Sequence, residues 1–315
     1  MSRRNPYAGI QIVCVVIIIL SVIGSVFVGS ALKSANQKTD EYNAAIKACE
    51  NGQAANAAGI DALKAEKEIT KARYDTVAED LEYAKKWKSY ETERICYLTF
   101  DDGPSKYTDT ILDILDSYGI KGTFFIVGQK LDEGNNVQRL LRMAEEGHVI
   151  AYHCNVHDYP TIYASYKAYM DDFNALNARF DAIGVSDSVS KLIRMPGGSY
   201  SAKGFFKKYA DNEDIYYSVL SDLQLEGYVV CDWNVDTVDY NAKTAVSTIL
   251  DNAIEETEKQ LNKKYKTIIV LMHNMPNTAE ALPQLIDTLM NMGYSFEPLT
   301  EKGYTFIQSP LKTQD

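Results

Sequence analysis

Two adjacent carboxylates, Asp101 and Asp102, follow Thr99-Phe100 and precede Gly103-Pro104. Such a pair repels itself unless a cation or a shared proton compensates. Further along, His153-Cys154-Asn155-Val156-His157 spaces two histidines at i and i+4. On a helical turn that spacing presents both imidazoles on one side. Two histidines and one aspartate can make a three-ligand metal site with an open position for water, as catalytic zinc requires. Arg194-Met195-Pro196-Gly197-Gly198 delivers a cation and a flexible turn with free backbone N–H groups. The stretch from Trp233 to Tyr240 carries Asp236 and Asp239, and His273 ends the apolar run Ile269-Val270-Leu271-Met272.

Each motif alone has a plain structural explanation. Asp-Asp before Gly-Pro is usually a turn with a helix cap, and a lone His-x-x-x-His is more often surface or core than ligand. Arg194 alone reads as a salt bridge, His273 as a hydrogen-bonded buried histidine, and Asp236 and Asp239 as loop caps. Taken together these readings weaken. The chain has only four histidines, and three of them close apolar runs.

The elements that must position these groups are short apolar strands alternating with amphipathic helices. The expected strands are 95–100, 121–127, 148–152, 191–194, 228–233 and 266–272. The expected helices are 107–118, 136–146, 165–182, 202–221, 243–262 and 279–292. Such alternation implies parallel β/α units, with active residues at the C-terminal ends of the strands. The polar motifs fall at those ends. No internal repeat or low-complexity tract is evident.

In this order the five motifs resemble those of the NodB-homology polysaccharide deacetylases, carbohydrate esterase family 4. Gly122-Thr123-Phe124-Phe125-Ile126-Val127-Gly128 and Gly147-His148-Val149-Ile150 add to the likeness, which runs from about Arg94 to Ile307. The resemblance implies an α/β fold, a distorted (β/α) barrel with fewer than eight strands. It implies that Asp101 is the base that activates the hydrolytic water. Asp102, His153 and His157 would hold one divalent metal, zinc first, with cobalt or another divalent ion as a substitute. Arg194 would pair with and orient the base. The Gly197 N–H would bind the oxyanion, and Leu271 and Tyr240 would line the acetyl pocket. His273 would be the general acid, held and tuned by Asp239. Amide hydrolysis needs an activated water, a stabilised oxyanion and a protonated amine, and these groups can supply all three.

The chain departs from the family pattern at three positions. Cys154 stands where Ser or Thr is usual, Gly197 where many members have an aromatic, and Tyr240 where Trp is usual. None removes a metal ligand, acid or base. The Gly197-Gly198 pair is expected to open the groove floor. His148 is expected to be structural, and Cys154 is disfavoured as a fourth ligand because neighbours at i and i+1 point apart. An ester-cleaving relative acting on acetylated xylan, a chitooligosaccharide deacetylase, and a binding protein with a degenerate site are the competing readings.

The rest of the chain constrains where such chemistry happens. From 8 to 32 the sequence is uncharged and dominated by Ile, Val and Leu, with Arg3 and Arg4 before it. About 20 such residues span a bilayer as a helix, and short basic tails stay cytoplasmic. A signal peptide would have a shorter apolar core. The expectation is a cytoplasmic tail (1–7), a transmembrane helix (8–32), a helical stalk (33–92) and an extracytoplasmic catalytic domain (93–315). The stalk carries a heptad-like seam between 60 and 84, weakened by Lys67. It could be a coiled-coil dimer, a hairpin or a lone rod, with a stalk or weak coiled coil slightly favoured. As one helix its 60 residues would reach ~90 Å. The domain from 93 onward has 20 Lys/Arg against 32 Asp/Glu, a net charge of −12. That balance argues against nucleic acid, which is bound through Lys and Arg. A neutral or weakly charged N-acetylated glycan fits better, with peptidoglycan N-acetylglucosamine the foremost candidate. The five cysteines do not form a disulfide framework of the secreted kind, and free thiols, or at most an intermolecular Cys49 bridge, are expected.

Overall fold

The computed structural model describes residues 37–44, 46–47, 64–72, 75, 86 and 89–310. The expected membrane span, residues 8–32, lies outside these, and no helix among the described residues is long and apolar enough to cross a membrane. The chain divides into two compact units, 1–88 and 89–315.

In the first unit the described residues are helical. The Tyr42 hydroxyl donates to Glu66 Oε1 at 2.6 Å. In one straight helix these residues would lie about 36 Å apart at ~1.5 Å per residue. The two helical stretches therefore meet at this bond rather than forming one straight helix.

The second unit begins slightly earlier than the sequence suggested, because Tyr90 is fully buried within it. Its hydroxyl accepts from Tyr304 N at 3.1 Å, and its ring packs edge-on against Tyr304. The element order is β1 (Ile95–Gly103), α1 (Thr108–Ser117), β2 (Thr123–Val127), α2 (Asn136–Glu145), β3 (Val149–Cys154), α3 (Tyr159–Ile162), α4 (Tyr166–Ile183), β4 (Val189–Ile193), α5 (Gly198–Ala210), α6 (Asp214–Leu225), β5 (Val229–Val230), β6 (Val235–Asp236), α7 (Val246–Leu261), β7 (Ile268–His273), α8 (Pro276–Asn291) and β8 (Ser295–Phe296). All ladders are parallel. The sheet order is β5-β4-β3-β2-β1-β7-β6, with β8 paired to the start of β1.

The central strands are buried on both faces, as their near-continuous apolar runs require. The two ends of the sheet, β5 and β6, do not pair with each other, so the sheet curls without closing. Eight strands are present among the described residues, where fewer than eight were expected, but β5, β6 and β8 have only two residues each. The long strand expected at 228–233 is confined to Val229–Val230.

The helix expected over 202–221 is two helices. Asp211 adopts a left-handed conformation (φ +53°) and ends α5. The Asn212 side chain then accepts from Asp214 N at 2.9 Å and starts α6. By contrast α4 follows its sequence signals closely. The Ser165 side chain accepts from Ala168 N, and Gly184 caps the other end at φ +83°.

Candidate active site

All the singled-out motifs meet at the C-terminal edge of this sheet. The β1–β7 register makes Asp101 and His273 direct partners on neighbouring strands. The β1–β2 register shifts between Phe100 and Gly103. Such irregularities re-aim side chains beside functional sites. Here Asp102 takes φ +63°, a left-handed conformation that costs an L-residue about 1–3 kcal/mol. Gly103 is required by crowding: a Cβ there would lie 2.5 Å from the Asn274 side chain. Asn274 in turn bonds the Asp101 carbonyl through both its backbone N–H, at 3.1 Å, and its side-chain amide, at 3.2 Å.

Asp101 is buried and its Oδ1 accepts from Arg194 Nη1 at 2.8 Å. Arg194 is fully buried, yet every part of its guanidinium is used. Nη1 also donates to Thr99 Oγ1 at 2.7 Å, Nε to the Cys231 carbonyl at 3.0 Å, and Nη2 to the Asp232 carbonyl at 3.1 Å. The guanidinium lies over the Phe125 ring, 4.2 Å from its centroid. A buried charge so satisfied is tolerable, and it fixes the Asp101 carboxylate in one orientation.

Asp102 faces the histidines. Its Oδ1 lies 3.3 Å from His153 Nε2 and 3.4 Å from His157 Nε2. That Oδ1 is buried and accepts no hydrogen bond. His153 Nδ1 is 2.7 Å from the Arg194 carbonyl oxygen. A carbonyl only accepts, so Nδ1 carries the proton and the Nε2 lone pair is free, the arrangement usual for a metal-ligating histidine. The three ligand atoms lie within 4.8 Å of one another. The donor set, the orphaned oxygen and the committed tautomer all fit a divalent cation.

Burial would raise the Asp102 carboxyl, but the charges of His153, His157 and His273 outweigh it and hold it well below the usual carboxylate range. Burial pulls His153 down as well, yet Asp102 and Asp101 bring it up overall. For His157 burial wins and its pKa falls.

The histidine spacing was read as a helical turn. The structure instead puts His153 at the end of β3 and His157 in the loop beyond it. The Asp172 carboxylate accepts from both Asn155 N and Val156 N, at 2.7 and 2.8 Å, and holds that loop bent. The bend does what the helix was expected to do.

Across the cleft, His273 Nδ1 lies 2.6 Å from Asp239 Oδ1, and Asp239 Oδ2 accepts from His273 N at 2.8 Å and from the Thr278 hydroxyl. Asp239 is fully buried. Burial lowers the His273 imidazole, but the bond to Asp239 and the carboxylates around it raise its pKa to about 9. Val238, at φ +57°, turns the backbone into Asp239. The Asp236 side chain accepts from Val238 N at 2.8 Å, so the expected cap is present.

Asp101, Asp102, His153, His157, Gly197, Leu271, Tyr240 and His273 line one cleft of about 390 Å³. Arg194 and Asp239 stand behind it. Tyr240 is 63% exposed and Leu271 5%, so the tyrosine is at the mouth and the leucine at the floor. A second hollow of about 500 Å³ adjoins, sharing Asp102 and His273 and lined also by Tyr107, Lys106 and Arg139. Over residues 88–210 the chain matches the family model described as polysaccharide deacetylase. It is 30% identical to a peptidoglycan-N-acetylglucosamine deacetylase of Bacillus cereus over 219 residues, 67% of this chain and 71% of that one. The chain belongs to the polysaccharide deacetylase family.

Two further likenesses define how far this extends. The Bacillus subtilis protein YheN is 27% identical over 306 residues, 96% of this chain and 93% of its own. The crystal structure of the catalytic domain of peptidoglycan N-acetylglucosamine deacetylase from Eubacterium rectale superposes with a TM-score of 0.60 at 31% identity, covering 70% of this chain and 94% of that one. Like other polysaccharide deacetylases, this protein is a hydrolase acting on acetyl groups, built on a curled parallel α/β half-barrel.

Sequence reasoning missed several parts of this deacetylase site. Tyr159 lines the cleft beside His157, and only its closeness to that histidine in sequence hinted at it. Trp233 lies against Gly198, where a Cβ would be 2.8 Å from its ring. The Gly197-Gly198 pair therefore does not leave the groove floor open at 198. Asp232 is fully buried and accepts from Ser199 N at 2.9 Å. His148 is structural, as expected: its Nδ1 accepts from Gly122 N at 3.0 Å. Cys154 is buried and outside the ligand cluster, and Cys96 and Cys231 are also free.

Proposed function

We propose that this deacetylase is a metal-dependent enzyme that removes the N-acetyl group from N-acetylglucosamine in peptidoglycan. One observation carries the reading: the Asp102–His153–His157 cluster faces the His273–Asp239 pair across a single cleft. A divalent ion held by Asp102, His153 and His157, zinc being the best match to two imidazoles and a carboxylate, would supply Lewis acidity to the acetyl carbonyl and the water.

The protons are handled by the chain's own residues. Asp101, oriented by Arg194, accepts the proton of the attacking water. The Gly197 N–H donates to the acetyl oxygen as it becomes an oxyanion. His273 Nδ1 is bonded to Asp239, which leaves Nε2 to give a proton to the sugar nitrogen. The C–N bond breaks, and acetate and a free amino sugar leave. The two hollows that meet at Asp102 and His273 suit a chain of sugars rather than a single one.

The relatives from Bacillus cereus and Eubacterium rectale support a peptidoglycan substrate. The apolar segment at 8–32 supports single-pass anchoring in the cell membrane with the catalytic domain outside, close to the wall polymer. The helical stretches after it would serve as a spacer and as a surface for self-association. The test is acetate release from peptidoglycan, N-acetylglucosamine oligomers and acetylxylan, followed by wall analysis of a deletion strain. Release from peptidoglycan, and a lower fraction of free glucosamine in the deletion strain's wall, are expected. Release from acetylxylan alone would move the assignment to the ester-cleaving class.

A further inference from the structure

Position 197 carries no side chain, although the family resemblance implies an aromatic there in many members. The space beside it is furnished from elsewhere. A Cβ at Gly197 would lie 3.0 Å from Phe205 and 3.6 Å from the Tyr159 hydroxyl. Tyr159 opens the short helix α3, which Asp158 caps by accepting from Thr161 N at 3.1 Å. The Tyr159 ring stacks on Phe205 with centroids 4.4 Å apart, and lies 5.2 Å from the His157 ring. Its position is therefore set from two sides.

Its hydroxyl is uncommitted. Among the described residues it has no hydrogen-bond partner, and it lines the cleft with Asp101, Gly197 and His273. The turn that presents Gly197 is fixed from the same aromatic cluster: the Tyr163 hydroxyl donates to the Pro196 carbonyl at 2.9 Å.

We propose that the Tyr159 hydroxyl is a second oxyanion donor, acting with the Gly197 N–H on the same acetyl oxygen. The proposal rests on the deacetylase reading above. Tyr159 gives a hydrogen bond and keeps its proton, so the acid and base assignments are untouched. A bare glycine at 197 leaves the approach to this hydroxyl clear, which an aromatic side chain at that position would cover.

The experiment uses the full chain loaded with zinc and N-acetylglucosamine oligomers as substrate. Tyr159→Phe keeps the ring packing and removes only the donor. Loss of one oxyanion donor costs ~10²-fold or more in kcat, so a fall of that order is expected with KM, zinc content and Tm unchanged. A tetrahedral methylphosphonamidate analogue of the substrate should lose affinity by the same factor. A Tyr159→Phe enzyme within about threefold of wild type in kcat would overturn the proposal while leaving the deacetylase reading intact. A kcat loss with full affinity for the analogue would also overturn it. A wild-type chain that releases no acetate from any N-acetylglucosamine polymer would remove the underlying reading itself.

Discussion

Asp101 and Asp102 are neighbours in the chain but face different partners. Asp101 accepts from Arg194 at 2.8 Å, whereas Asp102 stands 3.3 Å from His153 Nε2. The left-handed conformation at Asp102 and the register shift in β1 turn the two carboxylates apart. Asp101→Asn should therefore leave metal content near wild type and lower kcat by ~10²–10⁴-fold, the usual contribution of a general base. Asp102→Asn should lose metal and activity together. Metal analysis of both purified variants checks this, and equal metal loss in the two would overturn the division of roles.

Removing a histidine should act like removing Asp102. His157→Ala leaves only Asp102 and His153 as ligands, too few for tight binding of zinc. Activity and metal should disappear in proportion. Exhaustive chelation of the wild-type enzyme should do the same, and restoring zinc should restore turnover. Full activity after chelation would rule out the metal reading.

His273 should matter according to the leaving group. An amine must be protonated to depart, whereas an activated phenolate leaves unaided. His273→Ala should lower amide hydrolysis by ~10²–10⁴-fold and hydrolysis of an aryl acetate much less. Equal losses on both substrates would take the acid role away from this residue.

The pH profile should report the His273–Asp239 pair. The imidazole is raised to about 9, from a usual value near 6.5. Its acid form is therefore present below that value and lost as pH rises through it. kcat/KM should fall on the alkaline side, with the limb no higher than about 9, since a bound cation offsets part of the Asp101 and Asp102 charge that lifts it. Asp239→Asn removes the main lifting group and should move the limb to lower pH. The stabilisation from this pair follows the same sign: complete below ~6.5 and fading as pH approaches ~9. An unmoved alkaline limb in Asp239→Asn would count against the pairing.

Arg194 should be a stability residue as much as an active-site one. Arg194→Ala would leave the Asp101 carboxylate buried with no counter-charge, a loss of ~3–5 kcal/mol. Thermal unfolding should show it. Arg194→Lys should recover only part, because one ammonium cannot reach Asp101, Thr99, Cys231 and Asp232 together.

The polar motifs themselves were legible in the sequence, because each closes an apolar run and parallel β/α units place such residues at one sheet edge. Most strands and helices were legible for the same reason: their period is short and local. What the sequence could not contain was how distant segments meet. The histidine pair needed the Asp172 carboxylate, not a helical turn, to bend its loop. The division between α5 and α6 rests on one left-handed residue, Asp211, that no periodicity reveals. Trp233 over Gly198 and Tyr159 beside Gly197 fill space that looked open from the glycines alone. The sequence by itself determined which chemical groups exist and on which strand end each stands. Only the tertiary structure decided which of them touch, because strand register and the crowding of side chains from far-off segments are non-local properties.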